Sequence, residues 1–174
     1  MAQKSLHDLS GRWSMSGELS GDVSEVLKIQ GFNSLVRKAV SYAPVNLKIT
    51  QKGDDEIFIN QSTTANIPAV KEEWNPTDPS HGWRTTKDAF MGEVRSRSRW
   101  CKVFELRERQ GFLAESLGES DQVIESEVEA VGGTGWKAVQ VWTMEGQHFV
   151  RRVVTTGQSG ERAETRLVYL FEGS

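Results

Sequence analysis

The sequence predicts an all-β chain of roughly ten antiparallel strands, a barrel or a sandwich, interrupted once near the start by two short helices. Three observations predict this. Apolar residues alternate with polar ones over most of the chain, the period of strands with one buried face. Turn signals recur at short intervals between these runs. Only the stretch from Asp22 to Ser41 carries a helical stripe.

The elements follow in order. Gly11-Arg12-Trp13 opens the first strand. Asp22 with Glu25 three residues on has the form of a capping box. Val23, Val26, Leu27 and Ile29 then share one helical face, and Gly31 is placed to end it. Asn33 is placed to cap a second helix carrying Leu35, Val36, Ala39 and Val40, with Lys28, Arg37 and Lys38 on the wet side. Val45, Leu47 and Ile49 mark the next strand, and Ile57 and Ile59 the one after the Lys52-Gly53-Asp54-Asp55 turn. The run Asn75 to Gly82 holds two prolines between strand-like flanks. It reads as a loop within one domain, with Trp74 and Trp83 at its rim.

Two rows of charge come next. Arg95, Arg97 and Arg99 share one strand face, opposite Val94, Ser96, Ser98 and Trp100; Glu125, Glu127 and Glu129 share another. If these strands are neighbours, the rows pair across them on a solvated outer face. Gly132-Gly133-Thr134-Gly135 reads as a hairpin connection, since a phosphate loop opens a helix. Trp136, Ala138, Gln140, Trp142 and Met144 then lie on one face. After Glu145-Gly146, His148, Val150, Arg152 and Val154 alternate with Phe149, Arg151, Val153 and Thr155. Which face points inward stays open, because a one-residue bulge flips it.

Composition excludes several classes. The chain has 174 residues, a formal net charge of -3 and 37% hydrophobic residues, with pI near 5.7 and mean hydropathy -0.49. It lacks the basic excess of a nucleic-acid binder. Its apolar runs are too short to span a bilayer, and its start does not read as a signal peptide. One cysteine, Cys101, allows no internal disulfide and fits a reducing compartment. The expected location is cytoplasmic, as a monomer or weak dimer.

Catalytic signatures are sparse. His7, His81 and His148 have no ligand spacing, so no metal is expected. Cys101 neighbours Arg97 and Arg99 on its strand, which would favour a thiolate, but reads first as a packing residue. No nucleophile elbow is present. Arg152 with His148 on one face forms a possible head-group pair, and a buried guanidinium grips a carboxylate or enolate bidentately.

The order of several motifs resembles the calycins, and within them the intracellular fatty-acid-binding proteins. Gly11-Arg12-Trp13 stands for the Gly-x-Trp strand, residues 21–42 for the helix-turn-helix lid with Arg37-Lys38-Ala39 in its second helix, and Leu47 to Asp54 for the second strand and turn. Gln61-Ser62-Thr63-Thr64 resembles the end of the third strand, and Arg166-Leu167-Val168-Tyr169 sits where that family ends in Arg-x-Tyr. The chain is also similar to fungal calycin-like proteins, some encoded near natural-product pathways. The resemblance implies one domain over residues 1–174: a closed antiparallel up-and-down β-barrel of about ten strands, with a lid between strands 1 and 2 over a ligand cavity.

It also implies that an Arg and a Tyr of the last strand grip the ligand head. Arg166 and Tyr169 are three apart, so a regular strand turns only one inward. An alternative lays Arg166 across Trp13. The expected function is binding of a lipophilic small molecule, terpenoid, polyketide or fatty-acid-like. The expected ligand-binding residues are Phe32, Tyr42, Trp100, Trp136, Gln140, Trp142, His148, Arg152, Arg166 and Tyr169. The alternative is a cofactor-independent cyclase or isomerase of the pericyclase type in a natural-product pathway, with Arg152, His148 and Tyr169 as catalytic candidates. Neither reading requires a cofactor or a nucleic-acid partner.

Overall fold

The computed structural model describes residues 3–63, 67–107, 111–133 and 135–174; Thr64 and Thr134 of the motifs above lie outside them. Ten strands form: β1 (Gly11–Met15), β2 (Val45–Lys52), β3 (Glu56–Thr63), β4 (Val70–Trp74), β5 (Arg84–Asp88), β6 (Gly92–Lys102), β7 (Gln122–Ala130), β8 (Lys137–Glu145), β9 (His148–Thr156) and β10 (Arg162–Gly173). Helices α1 (Ser24–Ile29) and α2 (Ser34–Tyr42) lie between β1 and β2. Strands consecutive in sequence pair antiparallel, except β4 with β5, and β1 joins the two halves by pairing with β10. The result is a barrel rather than a sandwich. It is nearly closed: β4 and β5 are the two ends of the sheet order, leaving a seam between them.

Strand alternation sets what faces inward. At one end the interior is solid. Trp13, Leu47, Ile57, Trp142, Phe149 and Tyr169 are fully buried there and belong to one apolar cluster. Trp142 meets Trp74 and Phe149 edge to face, at ring separations of 5.4 and 5.9 Å, a favoured aromatic geometry. Trp100 closes this end, stacked on His7 at 4.8 Å and donating Nε1–H to the Asp54 carbonyl.

The other end lies under α1, which buries Val26 and Leu27. Ile29 packs on the cluster of Val94, Trp136, Ala138 and Val153. Phe32 stacks on Phe90 of the β5–β6 turn at 4.4 Å. The expected capping box does not form. Val23 is the N-cap, and Asp22 instead accepts from the Ser24 amide, a local turn that competes with helix capping. Gly31 ends α1 at φ 91°, and Asn33 caps α2 by accepting from the Val36 amide at 3.0 Å. No residue of α2 is buried.

A second apolar layer lies outside the barrel. The β6–β7 connection forms 3₁₀ turns at Val103–Glu105 and Phe112–Ala114. Leu106 and Leu113 from it pack with Cys101, Val123, Val141 and Val154 on outward strand positions. The charge rows do pair: Arg95 with Glu129, Arg97 with Glu127 and Arg99 with Glu125. This face is not freely solvated, however. Glu125 is 2% exposed, Arg107 and His81 approach Glu127, and Trp83 lies under the guanidinium groups of Arg95 and Arg97 at 4.6 and 4.4 Å.

Candidate ligand cavity

The hollow end holds a cavity of about 680 Å³, within the range of small-molecule sites. Its apolar wall includes Val94, Val128, Trp136, Ala138 and Val153; Gln30 from the end of α1 sits at its mouth. Trp74, Glu72 and Gln140 line it toward the solid end. Outward residues of the neighbouring strands, such as Lys71 and Asn60, border it as well, so it opens around the β4 edge into the seam.

Beneath Glu72 and Gln140 lies Arg151, its side chain 5% exposed. Nη2 donates to both Glu72 oxygens at 3.1 Å, and Nε and Nη2 donate to Gln140 Oε1 at 3.2 and 2.7 Å. Arg151 also hydrogen-bonds to the Tyr169 hydroxyl, and its guanidinium lies 5.1 Å from the Trp142 ring centre. Burial works against the charged form, but the negative charge of Glu72, with Tyr169, holds the guanidinium above its ordinary value. Burial pushes the Tyr169 hydroxyl up, so it stays protonated at neutral pH.

Register and burial locate each expected site residue. Trp136 and Gln140 line the cavity. Tyr169 points inward but sits behind Arg151, in the solid core. Trp142 is likewise core, and Trp100 closes the far end. Phe32 packs on Phe90 beside the mouth, while Tyr42 is 80% exposed on α2.

The arginines require correction. Phe149, Arg151 and Val153 point inward on β9, so Arg152 and His148 point outward. Arg152 lies under the outer layer, 3.4 Å from Glu115 and Glu145, with its ring-facing side on Phe112. His148 lies opposite Glu145 in the strand register at the β8–β9 turn. Arg166 is also outward, paired with Glu145. It does not cover Trp13, which Phe149 and Phe171 flank instead. Cys101 is no thiolate either: burial, then the nearby Glu125 charge, push it up to about 12. Trp74, expected at the loop rim, forms part of the cavity wall.

Sequence reasoning missed Arg151 and Glu72. Both faces of β9 carry apolar residues, so alternation alone does not choose between Arg151 and Arg152. For Glu72 a signal existed: it alternates with Val70 and Trp74, on the inward face of β4.

No family model matches the chain, and no curated protein matches it by sequence. Solved structures do match it in fold. Lipid binding protein 8 of Caenorhabditis elegans, in its apo form, is 18% identical, covering 98% of this chain and 100% of its own, with a TM-score of 0.67. The Schistosoma mansoni fatty acid binding protein, in complex with arachidonic acid, is 14% identical over 97% of this chain and 98% of its own, with a TM-score of 0.59. The zebrafish ileal bile acid-binding protein, complexed with cholic acid, is 12% identical over 93% of this chain and 97% of its own, with a TM-score of 0.58. The chain therefore has the calycin fold of these lipid-binding proteins. No helix of the described residues is long and apolar enough to cross a membrane.

Chemically, the cavity offers an apolar wall, inner polar groups at Glu72 and Gln140, and a charged outer edge. Such a site buries a hydrocarbon body and orients a single oxygenated end.

Proposed function

We propose that residues 1–174 act as one domain that binds a lipophilic small molecule in the barrel cavity. The observation that carries this is the 680 Å³ cavity, walled by Trp136, Ala138, Val128 and Val153, with Glu72 and Gln140 as its inner polar groups. The hydrocarbon part packs on the apolar wall, where each buried CH₂ contributes about 0.8 kcal/mol. The oxygenated end meets Glu72 and Gln140. The fold shared with proteins whose structures hold arachidonic or cholic acid supports the same reading. Within this class, terpenoid, polyketide and fatty-acid-like skeletons are the candidates.

The cyclase or isomerase reading has no observation in its favour. Arg152 and His148 face away from the cavity, and Tyr169 sits behind Arg151. The test is titration with Nile red, a neutral apolar dye. The parent should bind it near 1:1. Ala138→Trp pushes an indole into the cavity beside Trp136 and should weaken dye binding while keeping its far-ultraviolet circular dichroism. Equal dye binding by both chains would overturn the proposal.

A further inference from the structure

We infer that Glu72 makes this cavity select an uncharged, hydroxyl-bearing lipid over a free carboxylate. The inference rests on the lipid-binding reading above and names its ligand class.

Three observations carry it. First, the wall of the cavity presents Glu72 and Gln140, while Arg151 lies behind them. A ligand reaching the inner polar patch meets a carboxylate before it meets the guanidinium. Second, Arg151 is already engaged: two of its nitrogens donate to Glu72 and Gln140, and it hydrogen-bonds to Tyr169 as well. A fatty-acid head would have to displace Glu72 to gain a bidentate partner. Third, Glu72 and Arg151 sum to zero charge. A second carboxylate would stand as a like charge beside Glu72, next to a pair that already neutralises itself, which disfavours its charged form.

Glu72 cannot retreat by a backbone shift without breaking β4 from β3, where it lies opposite Ile59. A hydroxyl fits the patch as it stands. Its O–H donates to a Glu72 oxygen, and its lone pair accepts from Gln140. With Oε1 turned to Arg151, Gln140 has its amide nitrogen left to donate. The cationic groups that also border the cavity, Lys48, Lys71, Arg84 and Lys87, are all exposed at its outer edge. They lie on the solvent side of the patch, where screening weakens their hold on an anion.

The experiment is displacement of Nile red from the full chain by hexadecan-1-ol and by hexadecanoic acid at pH 8. Both are used in the parent and in Glu72→Gln. The parent should bind the alcohol more tightly than the acid by about tenfold or more. Glu72→Gln frees the Arg151 charge and should tighten the acid by about tenfold, and it should weaken the alcohol by about threefold or more, because the O–H loses its charged acceptor. If Glu72→Gln does not fold, the parent's own ratio decides. A parent that binds the acid as tightly as the alcohol overturns the inference while leaving the lipid-binding reading intact. So does a Glu72→Gln ratio equal to the parent's. If Nile red fails to bind, or binds to Ala138→Trp as well as to the parent, the lipid-binding reading fails and this inference fails with it.

Discussion

Glu72 on β4 and Arg151 on β9 meet across the barrel interior, with both carboxylate oxygens 3.1 Å from one guanidinium nitrogen. The two strands are not neighbours in the sheet. The pair therefore ties the β4 edge, at the seam, to the opposite wall. It also divides the interior into a solid end below Arg151 and a hollow end above Glu72. The same contact thus bears on stability and on what the cavity accepts.

Arg151 and Arg152 are adjacent, and their replacement by Met should have very unequal consequences. Arg151→Met leaves Glu72 without its cation and should cost about 3 kcal/mol. Arg152 has only long contacts of 3.4–3.5 Å, and its Nε has no partner among the described residues. Glu145 keeps Arg166 when Arg152 is removed. Arg152→Met should therefore fall within about 1 kcal/mol of the parent, because an apolar side chain replaces a poorly satisfied buried charge. Urea unfolding of both variants checks this, and lipid affinity should be unchanged in Arg152→Met.

Tryptophan emission should separate the cavity from the solid end. Trp136 lines the cavity, whereas Trp100 stacks on His7 at the far end. Trp136→Phe should reduce the emission change caused by a bound lipid, with the remainder coming from Trp74, which also lines the cavity. Trp100→Phe should lower the total signal and leave the ligand-induced change in place.

Alkaline pH should weaken the fold through two buried acids. Cys101 is pushed from 9.0 to about 12 by burial first and Glu125 next. Burial also raises Tyr169 above 10.0. Both are held protonated in the folded chain and ionise first in the unfolded one. Their contribution is whole below pH 9 and is lost as pH rises toward 12, at no more than about 1.4 kcal/mol per pH unit for each proton. Urea unfolding from pH 7 to 11 should show the fall. Cys101→Ala and Tyr169→Phe should each flatten it.

The strands and the charge ladder could be read from the sequence because each rests on local alternation, whereas the up-and-down strand order was implied only by the resemblance to the calycins. Arg95, Arg97 and Arg99 met Glu129, Glu127 and Glu125 in the register that alternation demands. The inner arginine could not be read the same way. Val150 and Val154 face outward on β9 yet are buried, as are Phe149 and Val153 facing inward. Covering both faces erases the polar side that alternation needs. At least one outward position, Val154, is buried by the β6–β7 connection, a packing of distant segments with no periodic signature. Glu72 was hidden by composition. Between Lys71 and Glu73 a carboxylate reads as a wet edge strand, although alternation with Val70 and Trp74 places it inward.

The most direct test of the central claim is a crystal structure of the chain with hexadecan-1-ol or hexadecanoic acid, whichever binds more tightly. The account predicts the hydrocarbon between Trp136, Ala138 and Val153, and the oxygenated end within hydrogen-bond distance of Glu72 or Gln140. A lipid bound instead on the outer face, with the space beside Trp136 and Ala138 empty of it, would contradict the account.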